Sequence, residues 1–274
     1  MRSFVADSVI ADIPGWFFPA DILLFRFILS HQVDDGQLGD LVEMGVYQGR
    51  SAVLIGSYLQ TDETFTVVDL FEDGQSTDGA NARENVASYE GFTRRVFEKN
   101  YTDVHGTLPR VVQGLSSSIG EVARTGQHRF VHIDASHLYD HVRSDIAMAN
   151  ELLKPNGIVV LDDFRSEHTP GVAAAAWEAV AAGMHPIALS STKLYGTWGD
   201  VTPWLRSISQ WLPSSGLEYE TQSVAKNELF RVWFPPRPAA RWLPPVAVKP
   251  ALQVRRHVRS WLMRSGSHLS RRTP

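Results

Sequence analysis

The stretch Leu41-Val-Glu-Met-Gly-Val-Tyr-Gln-Gly-Arg-Ser51 decides the fold of this chain. An apolar run leads into it, and Gly45 and Gly49 precede a segment of helical pattern. Glycine lets the backbone turn sharply and lets a ligand approach closely, because it has no Cβ. A helix that follows such a turn points its free N–H groups at the same place. The stretch therefore predicts a strand, a glycine turn and a helix that together bind a nucleotide-like ligand.

Strands and helices alternate along the rest of the chain. Apolar runs rich in β-branched residues predict seven strands, and most of the segments between them carry helical signals. This alternation is typical of a parallel sheet with right-handed crossovers. We therefore expect an α/β, Rossmann-like fold with a seven-stranded, mostly parallel sheet and helices on both faces. The predicted strands are 41–45, 65–70, 110–114, 129–134, 158–161, 186–191 and 229–234.

The composition divides the chain into three parts. Residues 1–37 predict an N-terminal helical segment, 38–235 the α/β domain, and 236–274 a proline-rich and then basic C-terminal tail. Within the domain, 193–227 is a long irregular segment, and such segments are usually functional. The tail carries nine Lys and Arg residues and no Asp or Glu. Such a tail can bind nucleic acid, but we expect it to lie against the acidic body or a second subunit.

Several classes of protein and site are excluded by composition. The chain has no cysteine, so disulfides, thiolate metal sites and a cysteine nucleophile are ruled out. The N-terminus lacks the pattern of a signal peptide. The apolar run 16–29 contains Asp21 and Arg26 and is shorter than the roughly 20 residues of a membrane span. We expect a cytoplasmic protein with no membrane span, and the apolar N-terminal helix leaves a homodimer possible.

The first two predicted strands carry carboxylates toward their ends. Asp69 ends the second strand, where an acid can accept the hydroxyls of a ribose. The turn fits Gly-x-x-x-Gly, whereas a dinucleotide fingerprint needs a third glycine to seat its diphosphate. Glu43, which precedes the turn, suits a cationic or amine-bearing ligand better than a diphosphate.

Three more aspartates end the fourth and fifth predicted strands. Asp134 ends the fourth, and Asp162 and Asp163 end the fifth. Carboxylates that converge at one sheet edge repel each other unless a cation neutralises them, and an all-oxygen set suits Mg²⁺, Mn²⁺ or Ca²⁺. The alternative is that one aspartate caps the next helix and another is solvated. His137 follows Asp134 at the mouth of this region and could act as a general base, whereas His132, inside the strand, is expected in the core.

Taken together, these motifs resemble a known family. The matching segments are 42–51, 68–70, 113–114, 132–139 and 152–164, and the resemblance covers roughly residues 38–192. They resemble class I S-adenosylmethionine-dependent methyltransferases. Within that class they are similar to the metal-dependent O-methyltransferases that modify sugar hydroxyls, such as the macrocin type and the mycobacterial methylmannose polysaccharide enzymes.

The resemblance implies an enzyme that transfers the methyl group of S-adenosylmethionine to a saccharide hydroxyl, in a small-molecule or oligosaccharide acceptor. It further implies a role in methylated polysaccharide biosynthesis and Mg²⁺ (or Mn²⁺) as the metal cofactor. His137 would be the general base, and Asp134, Asp162 and Asp163 would hold the metal. The cofactor-binding residues would be Glu43, Gly45, Gly49, Ser51, Asp69, Gln113, Ser116 and Asp134.

Other functions stay open at this point. Residues 193–227 would lie on the acceptor side, where Tyr195, Trp198 and Trp204 could stack on sugar rings, although such aromatics are more often part of a core. A phenolic or catechol acceptor is the alternative within the methyltransferases. A different class is an NAD-type oxidoreductase or a nucleotide-binding module. The missing third glycine argues against NAD, and confinement of the basic charge to the tail argues against a nucleic-acid partner.

Overall fold

The structure is a computed structural model that describes residues 4–71 and 94–235, so the predicted basic tail lies outside the described residues. The helices are α1 (Asp7–Asp12), α2 (Pro19–Asp34), α3 (Arg50–Gly56), α4 (Arg94–His105), α5 (Tyr139–Leu152), α6 (Pro170–Ala181) and α7 (Thr202–Trp211), with 3₁₀ turns at Ser116–Glu121 and Leu212–Ser214. The strands are β1 (Asp40–Met44), β2 (Phe65–Asp69), β3 (Arg110–Gln113), β4 (His128–Ile133), β5 (Leu153–Leu161), β6 (His185–Leu189), β7 (Leu194–Thr197), β8 (Glu218–Val224) and β9 (Asn227–Trp233).

One sheet organises the described residues. Its strand order is β3-β2-β1-β4-β5-β7-β6-β9-β8. The five strands from β3 to β5 are all parallel, and β6 pairs with β9 in parallel. Strand β7 is antiparallel to both β5 and β6, and β8 and β9 form an antiparallel pair. The predicted α/β, mostly parallel, Rossmann-like sheet is confirmed.

The predicted number of seven strands is wrong, because the sheet has nine. Both additional strands come from the segment 193–227. Strand β7 is only four residues long and lies fully buried inside the sheet, so it is too short to show a periodic pattern. Strand β8 is mostly polar and forms the edge of the sheet. The turn between β8 and β9 has positive φ at Ala225 and Lys226, where hairpins usually carry Asn or Gly.

Alternation along the strands produces two cores, one on each face of the sheet. In β1, Leu41 belongs to the core under helices α1 to α4 and α7, whereas Val42 belongs to the core under α5 and α6. Both faces of the central strands are thus covered by helices, which explains why β4 is buried along its whole length. The predicted helices on both faces are confirmed.

The apolar N-terminal run forms helix α2, as predicted. Pro19 occupies its first position, where the missing N–H costs no helical hydrogen bond. Phe25 packs edge-on against Phe130 of β4 and Tyr195 of β7, so the helix covers the centre of the sheet. Among the described residues, no helix has the length and apolar character that crossing a membrane requires.

Candidate active site

The carboxyl ends of the parallel strands bring the predicted site residues to one edge of the sheet. Following the spatial order from β3 to β5, this edge carries Gln113, Asp69, the glycine turn after β1, Asp134 and Asp162. Backbone hydrogen bonds continue between neighbours past the strand ends; the N–H of Asp134, for example, donates to the carbonyl of Met44 at 2.7 Å. The five positions are therefore held next to one another in a fixed order.

The glycine turn is shaped by the protein around it. Gly45 has φ +81°, and a Cβ built there would lie 2.0 Å from the carbonyl oxygen of Asp134. Asp69 holds the turn from the other side, because its Oδ2 accepts the N–H groups of Val46 (2.7 Å) and Tyr47 (3.1 Å). Its Oδ1 accepts the N–H of Phe71 at 2.8 Å. A carboxylate accepts about four hydrogen bonds, so Asp69 retains room for a ligand hydroxyl.

Glu43 and Ser51 contact each other beneath this turn. The Ser51 hydroxyl donates to Oε1 of Glu43 at 2.5 Å, and Nδ1 of His132 lies 2.8 Å from the same oxygen. Burial raises the pKa of Glu43 to about 8 and lowers that of His132 to about 3, so the pair is uncharged near neutral pH. His132 is a core residue, as predicted. Oε2 of Glu43 has no hydrogen-bond partner among the described residues.

Two further predicted cofactor residues lie at the β3 end of the edge. Gln113 is exposed at the last position of β3. Ser116 begins the following 3₁₀ turn, and its side chain hydrogen-bonds the buried carboxyl of Asp145 in α5. Burial raises the pKa of Asp145 to about 6, an effect that the bond from Ser116 opposes. Ser116 is thus tied to the fold, whereas the exposed Gln113 accepts a hydrogen bond on its Oε1 from Nη1 of Arg94 at 3.4 Å.

At the β4–β5 end, the predicted metal ligands and the predicted base lie together. Asp134, His137 and Asp163 each offer a ligand atom within 4.8 Å of the others, and so do His132, Asp134 and Asp162. Nε2 of His137 lies 3.1 Å from Oδ2 of Asp163. Although burial opposes it, hydrogen bonds from His137 and Ser166 lower the pKa of Asp163 to about 2.

Asp134 is shared by both groups and has the opposite electrostatic character. Burial, followed by the neighbouring charge of Asp162, raises the pKa of Asp134 well above its usual value. A carboxyl that resists ionisation in this way is relieved by a cation placed beside it. The region therefore has carboxylate oxygens that could ligate a divalent cation.

A buried lysine, which sequence reasoning missed, completes this end of the site. Lys193 lies just before β7 with its side chain fully buried, and its ammonium forms an ion pair with Oδ2 of Asp162. Burial alone would favour a neutral amine, but the carboxylates of Asp162, Asp134 and Asp21 raise the pKa of Lys193 instead. No motif marks Lys193 in the sequence, because the four-residue strand that places it has no periodic signal.

The aromatic residues of 193–227 do not line this edge. Tyr195 and Trp204 are buried in the core, and Tyr195 donates its hydroxyl proton to Asp21 of α2 at 2.6 Å. Strand β7 runs antiparallel to β5, so Trp198 follows its end at the opposite edge of the sheet. The interpretation of these side chains as core residues is therefore favoured over sugar stacking.

The segment 15–18 instead supplies aromatic surface at the carboxyl edge. The carbonyl of Gly15 accepts a hydrogen bond from Nη1 of Arg50 at 2.5 Å. Trp16 is 64% exposed and packs against Tyr47 of the glycine turn, with ring centroids 5.6 Å apart. The ring of Phe17 lies 5.6 Å from the ammonium of Lys193. The segment thus runs from the glycine turn to the carboxylates and forms a wall of the site.

Comparison with protein families agrees with this geometry. A protein-family model aligns with residues 42–164 of the chain. This segment matches a methyltransferase domain. The matched segment begins in β1 and ends just after Asp163, so it includes the glycine turn, Asp69 and all three aspartates of the carboxylate group. A search of the curated proteins finds no significant match.

Solved structures show the same fold. The O-methyltransferase NovP is 20% identical, with a TM-score of 0.54 over 65% of this chain and 79% of that one. A protein from Corynebacterium glutamicum is 14% identical, with a TM-score of 0.50 over 71% of this chain and 91% of that one. At these identities the likeness establishes that this chain shares their α/β fold.

Proposed function

We propose that this protein transfers the methyl group of S-adenosylmethionine to a hydroxyl group of a saccharide. The observation that carries the proposal is the order of residues along the carboxyl edge. An exposed amide (Gln113), a hydroxyl-accepting carboxylate (Asp69), a glycine turn and a carboxylate–histidine group follow one another across adjacent strands. This order suits the adenine, the ribose and the methionine portion of the cofactor, followed by the acceptor.

The residues present fit that cofactor. Asp69 has acceptor capacity left for the ribose, and it holds the Gly45–Gly49 turn at the carboxyl edge through the N–H groups of Val46 and Tyr47. Glu43 has no exposed surface, so we propose that it acts through Ser51 and the turn. Its Oε2 has no hydrogen-bond partner among the described residues and has capacity for a further donor. S-adenosylmethionine, when bound, supplies an electrophilic methyl group on its sulfonium.

The carboxylate group also fits a divalent cation. We propose Mg²⁺ (or Mn²⁺) as the metal, with Asp134 and Asp163 of the predicted set as ligands. A divalent cation at this position would lower the pKa of a bound hydroxyl group.

His137 is proposed as the general base that takes the proton of the acceptor hydroxyl. Its contact with Asp163 holds the ring and stabilises the imidazolium that forms when the proton is accepted. The fold then has to align the resulting alkoxide with the methyl group, and much of the rate enhancement should come from this alignment. The cation and the base would share one small region, in which Asp163 serves both.

A sugar ring is the proposed acceptor because of the resemblance noted above and because of the exposed indole of Trp16 beside the turn. Aromatic faces stack on flat apolar surfaces, which sugars and catechols both have. A phenol or catechol therefore remains the alternative acceptor. A role in methylated polysaccharide biosynthesis, a cytoplasmic location and a homodimer stay predictions.

A methyl-transfer assay tests the proposal. The protein is incubated with methyl-labelled S-adenosylmethionine and a panel of mono- and oligosaccharides, catechols and nucleosides, with and without a chelator. We expect label in a saccharide product and loss of that label in the chelator. Label only in a catechol would show that the acceptor is a catechol and not a saccharide. Full activity in the chelator would show that the reaction needs no metal. No label in any acceptor would contradict hydroxyl methylation.

A further inference from the structure

Each carboxylate oxygen of Asp162 already has a partner within the protein. Oδ1 accepts the backbone N–H of Asp163 at 2.8 Å, and Oδ2 pairs with the ammonium of Lys193. Asp163 contrasts with this, since its carboxylate faces the hydroxyl of Ser166 and the ring of His137 at the mouth of the site. The two adjacent aspartates therefore have different surroundings: Asp162 faces the core and Asp163 faces the crevice.

The two groups of possible ligands differ in the same way. The group formed by His132, Asp134 and Asp162 already contains a cation, because Nζ of Lys193 is paired with Asp162 and lies 3.5 Å from Nε2 of His132. The group formed by Asp134, His137 and Asp163 is only partly buried. A second positive ion could enter the first group only by displacing a buried ammonium.

We propose that Lys193 is a built-in counter-ion that occupies one of two cation positions at the carboxyl edge, so that a divalent metal binds Asp134 and Asp163 and not Asp162. This inference rests on the proposed metal site and assigns its ligands. The carboxylate of Asp162 instead accepts the N–H of Asp163.

The backbone conformation of Asp163 explains why its N–H needs the hydrogen bond to Asp162. Its φ of +55° is in the left-handed region, which a non-glycine residue adopts only when its surroundings hold it there. The bond from its N–H to Asp162 stabilises this conformation, which places the Asp163 carboxylate beside His137. Lys193 acts at the buried end of this chain of contacts, close to the aromatic ring of Phe17.

The first test removes the ammonium. In Lys193→Met, Oδ2 of Asp162 becomes available as a metal ligand and one positive charge is lost from the site. We expect Mn²⁺, titrated calorimetrically or by electron paramagnetic resonance, to bind about tenfold more tightly than to the wild type, because repulsion between nearby cations is removed. Lys154→Met is the matched control: it removes a lysine from the opposite edge of the sheet and should leave the Mn²⁺ affinity unchanged. Unchanged or weaker Mn²⁺ binding in Lys193→Met would overturn the proposal.

The second test keeps the net charge and avoids an unpaired buried ion. The double variant Lys193→Met/Asp162→Asn replaces the ion pair by neutral side chains of similar size, a change that proteins often tolerate. Because Asp162 is not a ligand in our proposal, Mn²⁺ should bind this variant with an affinity within about threefold of the wild type. An affinity at least ten times weaker would show that Asp162 is a metal ligand and would overturn the proposal even if Lys193→Met does not fold.

Binding of S-adenosylhomocysteine is measured on the same samples to separate the inference from the proposed function. Normal S-adenosylhomocysteine binding without any Mn²⁺ binding in the wild type would overturn the counter-ion proposal and the metal dependence, but would leave methyl transfer standing. Loss of S-adenosylhomocysteine binding in the wild type would instead contradict the proposed function.

Discussion

At the scale of single residues, Gly45 lies in a tight turn, as its place in the sequence predicted. The reason given for a glycine at this position was incomplete. Its lack of a Cβ was expected to admit a ligand, but the nearest obstacle to a Cβ is the backbone of Asp134, at 2.0 Å from its carbonyl oxygen. Spacing in the sequence indicates a tight turn. It does not reveal which neighbouring strand the turn touches, since that contact depends on sheet order.

Replacement of Gly45 by alanine should therefore be more harmful than the loss of a positive-φ glycine elsewhere. Gly36 is the matched control, because it has φ +66° and open space around it. A left-handed alanine alone costs about 1–2 kcal/mol, which is all that we expect for Gly36→Ala. Gly45→Ala should lose more stability in chemical unfolding and should lose S-adenosylhomocysteine binding. Equal losses of stability for the two variants would contradict the packing argument.

His137→Ala tests the proposed base. General-base catalysis contributes about 10²–10⁴-fold to a rate, so kcat should fall by that range while the affinity for S-adenosylhomocysteine stays constant. His168→Ala is the control, because that exposed histidine has its ring centroid 6.0 Å from that of His137. A turnover number in His137→Ala similar to that of His168→Ala would remove His137 from the mechanism.

The raised pKa of Glu43 predicts how stability depends on pH. The folded protein holds a proton on Glu43 up to about pH 8, whereas the unfolded chain releases it near pH 4.5. The folded state thus binds more protons between these values, and its stability from this group falls as the pH rises toward 8. We expect Glu43→Gln, which cannot ionise, to lose less stability than the wild type between pH 7 and 8.5 in thermal unfolding. The same pH slope in both proteins would show that Glu43 is ionised in the fold.

At the scale of elements, the five parallel strands were readable from sequence and the later part of the sheet was not. Strands β1, β2 and β4 and the second half of β5 are buried on both faces and give mostly apolar runs, whereas β3 is a partly exposed edge strand. Strand β7 is short, and its antiparallel position between β5 and β6 depends on tertiary packing, which no local sequence pattern encodes. The same insertion explains why Lys193 could not be assigned to the site from the sequence.

The N-terminal segment provides the prediction at this scale. If 15–18 forms a wall of the acceptor site, Trp16→Ala should raise the KM for the acceptor severalfold and leave S-adenosylhomocysteine binding unchanged, because stacking on one aromatic ring contributes about 0.5–1.5 kcal/mol. Leu38→Ala serves as the control, since Leu38 is 57% exposed and precedes β1 at the opposite edge. An acceptor KM unaffected by Trp16→Ala would place the acceptor elsewhere.

At the scale of the whole molecule, the sheet order converts scattered residues into one site. Asp69 and Asp134 are far apart in sequence, but β1 lies between their strands and its glycine turn contacts both residues. The class of fold and the edge that carries the chemistry follow from the alternation of strands and helices. The identity of the acceptor does not follow from it, because the alternating pattern is the same whatever acceptor is bound.

Binding of S-adenosylmethionine at the carboxyl edge is tested most directly by thermal unfolding. The unfolding midpoint is measured with S-adenosylhomocysteine and with NAD. A ligand at 100 times its Kd stabilises the folded state by about 2.7 kcal/mol, which corresponds to roughly 5–10 °C for a domain of this size. We predict this shift with S-adenosylhomocysteine and none with NAD. A shift with NAD alone, or with neither ligand, would contradict the account.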